Sequence, residues 1–199
     1  ALRTHNFGDG DWNTFTISRT IDAHLEDADI LVLYVGVNDI LTKQNRLTRK
    51  QREAAARARL QGTEGLLALI SSSRIAVGAS LWLRGAEVQS GESVADVPLP
   101  DARENHQTII DAAQARGIRV LLMTEYAQAP QRQLLWEYAR MQSEFAADDV
   151  QIMDVRAVFE GVSDAESLAD RNHLSRAGNT RLGQQLAGTL QPWVIGSSR

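Results

Sequence analysis

The chain has 199 residues, a formal net charge of −4 and no cysteine, with 43% hydrophobic and 23% charged residues. That balance fits one compact domain with a substantial core and excludes a disordered or fibrous chain. It also excludes disulfides, thiolate metal sites and a cysteine nucleophile, and the mild acidity gives no pull toward nucleic acid or an anionic membrane surface.

The first seven residues, ALRTHNF, read weakly as a strand, and Gly8 and Gly10 follow in NFGDGDWNT. Residues 29–36, DILVLYVG, are almost wholly apolar and end in glycine, which predicts a strand covered on both faces. GVND overlaps its end and sets Asn38 at the strand's carboxyl edge. Residues 40–100 are too long for one crossover and predict an inserted pair of helices followed by a loop. The first helix, LTKQNRLTRKQREAAARARL, carries seven Lys or Arg against one Glu between 43 and 59, the pattern of a solvated face. The second, LLALISSSRIAVGASLWL (66–83), contains Arg74 and several serines, so it predicts a buried or interfacial helix and no transmembrane segment. The Gly, Ser and Pro rich loop RGAEVQSGESVADVPLP would serve as a lid or substrate wall.

Regular alternation resumes after that loop. LPDARENHQTIIDAAQARG predicts a helix with Asp101 as N-cap, Ile109, Ile110 and Ala113 as its apolar stripe and Gly117 as its stop. IRVLLMTE (118–125) and VQIMDV (150–155) read as strands. Between them, Leu134, Leu135, Tyr138, Met141 and Phe145 fall at helical spacing as core residues. A last helix starts near Ser175, aligns Leu182, Leu186 and Leu190, and is expected to stop before Pro192. Strands alternating with helices predict an α/β fold with a parallel sheet between helical layers.

Ligands of open parallel sheets bind outside the carboxyl ends of the strands. Two groups of polar residues belong there. Asn38 follows one strand, and Asp170 and His173 stand in LADRNHLSRAGN at the entrance to the last helix. A spacing of three at a helix start puts two side chains on one face. The carboxylate then takes the Nδ1–H of the imidazole, fixes the tautomer and leaves Nε2 as a general base. Each residue also has a structural reading: Asn38 as a turn closer, Asp170 as a cap, Gly8 and Gly10 as turn glycines. Asp9, Asp11 and Asn13 have the first spacings of a calcium loop, but Thr14 and Thr20 stand where its glycine and glutamate belong, so no metal is expected. His5, His24 and His106 lack partners at such spacing, and Trp12 and Trp82 read as core or as pocket walls.

VLYVGVNDI followed far downstream by ADRNHLSRAGN resembles the SGNH, or GDSL-type, hydrolase superfamily in its G-x-N-D and D-x-x-H blocks. The resemblance runs in order over almost the whole chain apart from residues 40–100. It implies a flavodoxin-like three-layer α/β/α fold, an ester hydrolase that needs no cofactor, His173 as base and Asp170 as its orienting acid. Asn38 would be one oxyanion donor, and the Gly10 amide, in a stretch similar to the family's glycine block, the other. The substrate would be a small-molecule, lipid or glycan ester, and many relatives act outside the cytoplasm.

The family's serine block has no counterpart here. The stretch from Gly10 to Asn38 holds one helix and one strand, which suits the glycine block and leaves no room for the central strand that carries the serine. VGAS (77–80) lacks the aspartate and stands after the asparagine block. The chain opens at Ala1 in strand-like sequence, so the expectation is an upstream or separate segment that supplies the central strand and its serine. Two other readings stay open: a binding module that kept the fold without catalysis, and an unrelated flavodoxin-like domain. The second lacks a glycine-rich phosphate loop.

Overall fold

The computed structural model describes residues 3–8, 12–41, 47–61, 95–129 and 131–196. In chain order the elements are α1 (Thr14–Thr20), β1 (Ile30–Tyr34), α2 (Val37–Ile40), α3 (Arg49–Gln61), α4 (Leu99–Gln114), β2 (Arg119–Met123), α5 (Gln131–Ser143), β3 (Val150–Met153), α6 (Val155–Val158), α7 (Asp164–Ser167) and α8 (Arg176–Gly196). The three strands form a parallel sheet in the order β1-β2-β3, with Leu31 opposite Val120 and Leu122 opposite Ile152. Helices cover both faces, the α/β/α arrangement expected of the flavodoxin-like class.

Side-chain alternation along the strands assigns the layers. Leu33, Val120, Leu122 and Val150 face Ile109, Ile110 and Ala113 of α4 together with Ile21 and Leu25. On the opposite face Leu121, Met123 and Met153 pack with Val155 and Phe159, Leu168, and Leu182 of α8. A third cluster joins Phe15 of α1, Ala102 of α4, and Tyr138 and Met141 of α5. β1 differs from its neighbours: Val32 and Tyr34, which register with Leu121 and Met123, are 38% and 39% exposed. β1 pairs with β2 on one side, and on the other no described strand pairs with it.

The chain divides into two compact units, residues 1–41 with 97–199, and residues 42–96. The second unit contributes α3, where Arg52 pairs with the buried Asp96. The expected apolar helix at 66–83, most of the loop after it and Trp82 lie outside the described residues. No helix among the described residues is long and apolar enough to cross a membrane.

Five local expectations are corrected. Residues 3–8 form no strand; Arg3, Thr4, His5 and Asn6 are exposed, and no backbone pairs with them in a sheet. The N-cap of α4 is Pro98, which leaves Asp101 inside the first turn, where its charge suits the helix dipole. Leu134 is 51% exposed and points away from the face that buries Leu135 and Tyr138. α8 runs through Pro192 to Gly196. Its last turns are anchored by Trp193, whose ring lies under the Arg119 guanidinium and whose carbonyl accepts from it at 2.9 Å, so the one hydrogen bond that proline deletes does not end the helix. Asp170 and His173, finally, precede α8 in a turn and do not share a helix face.

Candidate active site

Two residues beyond β1, at Gly36, the chain turns sharply into α2. Gly36 takes φ 157° and ψ −38°, and a Cβ there would stand 3.1 Å from the Tyr138 ring, so the tight packing of α5 against this turn calls for glycine. Asn38 is half-buried, and its side-chain amide donates to the Trp12 carbonyl at 2.8 Å. That bond fixes the plane of the amide. Trp12 is in turn placed by Asn13, which caps α1 by accepting from the Thr16 N–H at 2.9 Å. Asn13 thus has a helix-capping role; Asp9, Asp11 and Gly10 lie outside the described residues. Gly8 is exposed and its N–H donates to Asn6 at 2.9 Å.

Asp39, next to Asn38, is wholly buried. Its carboxylate accepts from the Thr14 N–H at 2.8 Å, from the Thr14 hydroxyl at 2.7 Å and from the Tyr138 hydroxyl. A buried carboxylate is tolerated only with such donors, and these tie α2 to α1 and α5 at once. Burial first, then the Asp39 charge, pushes the Tyr138 hydroxyl well above its ordinary range, so it acts as a donor.

Glu125 follows β2 and reaches the same turn. Its carboxyl accepts the Val37 N–H. Desolvation at the packed strand ends pushes this acid up to about 8, opposed by the Val37 bond and assisted by the charge of Asp39. Sequence inspection misses Glu125 and the roles of Asp39 and Thr14, and it places Tyr138 in the core without its bond to Asp39. An acid directly after an apolar strand was a usable signal for Glu125, whereas the partners of Asp39 come from distant segments and leave no local mark.

The loop after β2 continues toward the second group of residues. The Gln128 N–H donates to the Arg171 carbonyl at 2.9 Å, tying this loop to the turn that carries Asp170 and His173. That turn is closed by Ala169 N–H to the His173 carbonyl at 2.8 Å and Ser175 N–H to the Ser167 carbonyl at 2.9 Å. Asp170 Oδ1 accepts the Asn172 N–H at 3.0 Å and the His173 N–H at 2.9 Å, while Oδ2 lies 2.7 Å from His173 Nδ1. These bonds, the Asn172 N–H first and then the imidazole, hold the Asp170 carboxyl down to about 2. The pair is open to solvent, with side chains 55% and 73% exposed. His173 Nε2 has no hydrogen-bond partner among the described residues. With a carboxylate on Nδ1, the neutral ring carries its proton there and presents Nε2 as an acceptor.

The remaining histidines have other roles. His106 is buried and stacks against Phe145, and its Nδ1 donates to the Ala102 carbonyl at 2.8 Å; burial lowers it to about 4, so it stays neutral. His24 packs between Phe7 and Trp12, and His5 stacks on Phe7.

No family model and no curated protein matches the chain. Among solved structures it is similar to a catalytic mutant of Axe2, an acetylxylan esterase from Geobacillus stearothermophilus, at 15% identity and a TM-score of 0.55, over 89% of this chain and 67% of that one. At that identity the likeness bears on the fold.

Proposed function

We propose that this chain carries the histidine and asparagine side of a serine-dependent ester hydrolase of the SGNH type. The observation that carries the reading is the Asp170–His173 pair, 2.7 Å apart with Nε2 unengaged, on a turn bonded to the strand-end loop that also serves the Asn38 turn. The esterase among structures of similar fold supports the same class of chemistry and makes an acetylated glycan the first substrate to try.

In this mechanism a serine hydroxyl attacks the ester carbonyl as His173 Nε2 takes its proton. The tetrahedral oxyanion accepts hydrogen bonds from the Asn38 amide and the Gly10 N–H. Collapse expels the alcohol, protonated by His173, and a water molecule repeats the sequence on the acyl-enzyme. Asp170 holds the ring and stabilises the imidazolium. The serine comes, in this proposal, from a segment outside this chain that adds a strand along the outer edge of β1. The exposed Val32 and Tyr34 on β1 support that reading, because an apolar strand at an edge that no described strand pairs is stabilised when a further strand extends the sheet.

Fluorophosphonate labelling of the full-length protein, with mass spectrometry of every polypeptide present, tests this. A label on a Gly-Asp-Ser peptide absent from these 199 residues is the expected outcome. No label on any folded species overturns the hydrolase and leaves a binding module on a hydrolase-like fold. In the active protein, Asn38→Ala is expected to lower kcat by about 100-fold or more, the loss of one oxyanion donor worth about 3 kcal/mol.

A further inference from the structure

Glu125 has no place in the reaction just described, yet it is built into the turn that carries the proposed oxyanion donor. Its carboxyl reaches across from the end of β2 and takes the Val37 N–H, the amide immediately before Asn38. The Glu125 carboxyl also packs on Gly36, where a Cβ would lie 3.4 Å from its oxygen, at the limit of ordinary contact. The opposite side of the turn is held by Asp39 on Thr14 and Tyr138, and the Asn38 amide by Trp12. The contacts just named reach the turn from α1, α5 or the segment before α1, and the Val97 N–H adds one on the Asp39 carbonyl at 3.0 Å. Glu125 alone among these ties it to the neighbouring strand.

We infer that Glu125 is a positioning residue, whose carboxyl sets the Gly36–Asn38 turn and through it the geometry in which the Asn38 amide meets an oxyanion. The inference rests on the ester hydrolase reading for its catalytic meaning, while the positioning itself is measurable without turnover. The protonated acid fits the role best. It accepts the Val37 N–H without adding a negative charge beside a developing oxyanion, whereas the carboxylate opposes that charge. The titratable groups facing it are Asp39 of α2, Tyr34 of β1 and Tyr138 of α5, with Tyr126 adjoining it in sequence. Asp39 disfavours the Glu125 carboxylate, and Glu125 in turn disfavours ionisation of both Tyr34 and Tyr138.

The test follows the Val37 backbone amide and the Asn38 side-chain amide by NMR of the full-length protein from pH 6 to 10, with p-nitrophenyl acetate turnover measured in parallel. In the wild type the Val37 resonance is expected to titrate with a midpoint near 8 and kcat to fall above it. Glu125→Gln keeps an acceptor without a titrating charge. It should hold kcat at pH 7 within about threefold, remove the Val37 titration and flatten the alkaline fall. Glu125→Ala should displace both resonances and lower kcat at least tenfold at unchanged KM. Resonances in Glu125→Ala that coincide with those of the wild type, or a wild-type kcat in that variant, overturn the inference. Should Glu125→Ala not fold, the wild-type and Glu125→Gln titrations decide alone, and a Val37 titration that persists in Glu125→Gln overturns it. A wild type that moves as expected by NMR and yet hydrolyses no ester sinks the hydrolase reading and leaves the positioning standing.

Discussion

The two turns that hold the candidate chemistry are built on opposite plans. The Asn38 turn is interior and is held by groups far away in sequence: Trp12, Thr14, Glu125 and Tyr138 all bond to the segment Val37–Asp39. The Asp170–His173 turn is exposed, and its defining contacts span two or three residues. A hydrogen-bond donor for an oxyanion needs a fixed position before the reaction, and long-range buried contacts supply it. A proton shuttle needs a fixed tautomer and access to two partners, and a local carboxylate with an open ring nitrogen supplies those. Stability and catalysis should therefore separate differently in the two turns, and substitutions can break that contrast.

The largest effect is expected at Asp39. Asp39→Ala strands the Thr14 and Tyr138 donors in the interior and should cost about 3 kcal/mol of folding free energy, read from urea unfolding. A loss below about 1 kcal/mol would show that the turn is not the interior anchor described. Next comes Gly178, in the first turn of α8. A Cβ there would sit 2.2 Å from the Ser167 carbonyl oxygen, backbone that cannot swing aside. Gly178→Ala should cost about 2 kcal/mol and shift the turn before it, since this helix packing supports the dyad together with the Gln128–Arg171 bond.

Glu125→Gln tests the interior turn through pH. The folded protein holds this acid at about 8 against an ordinary 4.5, so its contribution favours folding fully below 4.5. As pH rises from there toward 8, the unfolded chain releases the proton first and stability falls. The variant lacks that loss and should exceed the wild type by about 2 kcal/mol at pH 9, after allowance for the solvent around a half-buried group, and should lose the advantage at pH 4. Equal unfolding midpoints at both pH values would contradict the assignment.

Sequence patterning reached the strands and the helical stripes because each is a local period: the apolar run containing Ile30–Tyr34, and Ile109, Ile110 and Ala113 at helical spacing. It also placed Asn38 after a strand and Asp170 and His173 before the last helix, since their neighbours in sequence set those positions. It failed where distant contacts override a local rule. Pro192 should end a helix, but Trp193 and Arg119 hold the turns around it. ALRTHNF has a strand-like start, but a strand is stable only beside a partner. Asp39 was visible in GVND, but nothing near it in sequence says that Thr14 and Tyr138 donate to it. The i,i+3 spacing of Asp170 and His173 predicts a shared helix face, whereas the carboxylate captures two backbone amides and makes its own turn.

That last feature allows a sharp test with the smallest effect on folding. In Asp170→Asn the side-chain oxygen can replace Oδ1, still accepting the Asn172 and His173 N–H groups at about the present 3.0 and 2.9 Å. The turn should persist and the thermal midpoint stay where it is. The amide nitrogen then occupies the place of Oδ2, 2.7 Å from His173 Nδ1 in the wild type, and offers a hydrogen where an acceptor stood. The imidazole must turn Nδ1 into the acceptor and move its proton to Nε2, the atom that receives the serine proton in the proposed mechanism. Ester turnover should fall on the order of 10³-fold with the fold intact, the loss of a general base in its working tautomer. A variant that melts like the wild type and turns over like it would mean that Asp170 only closes the turn, and His173 would lose its claim to be the base.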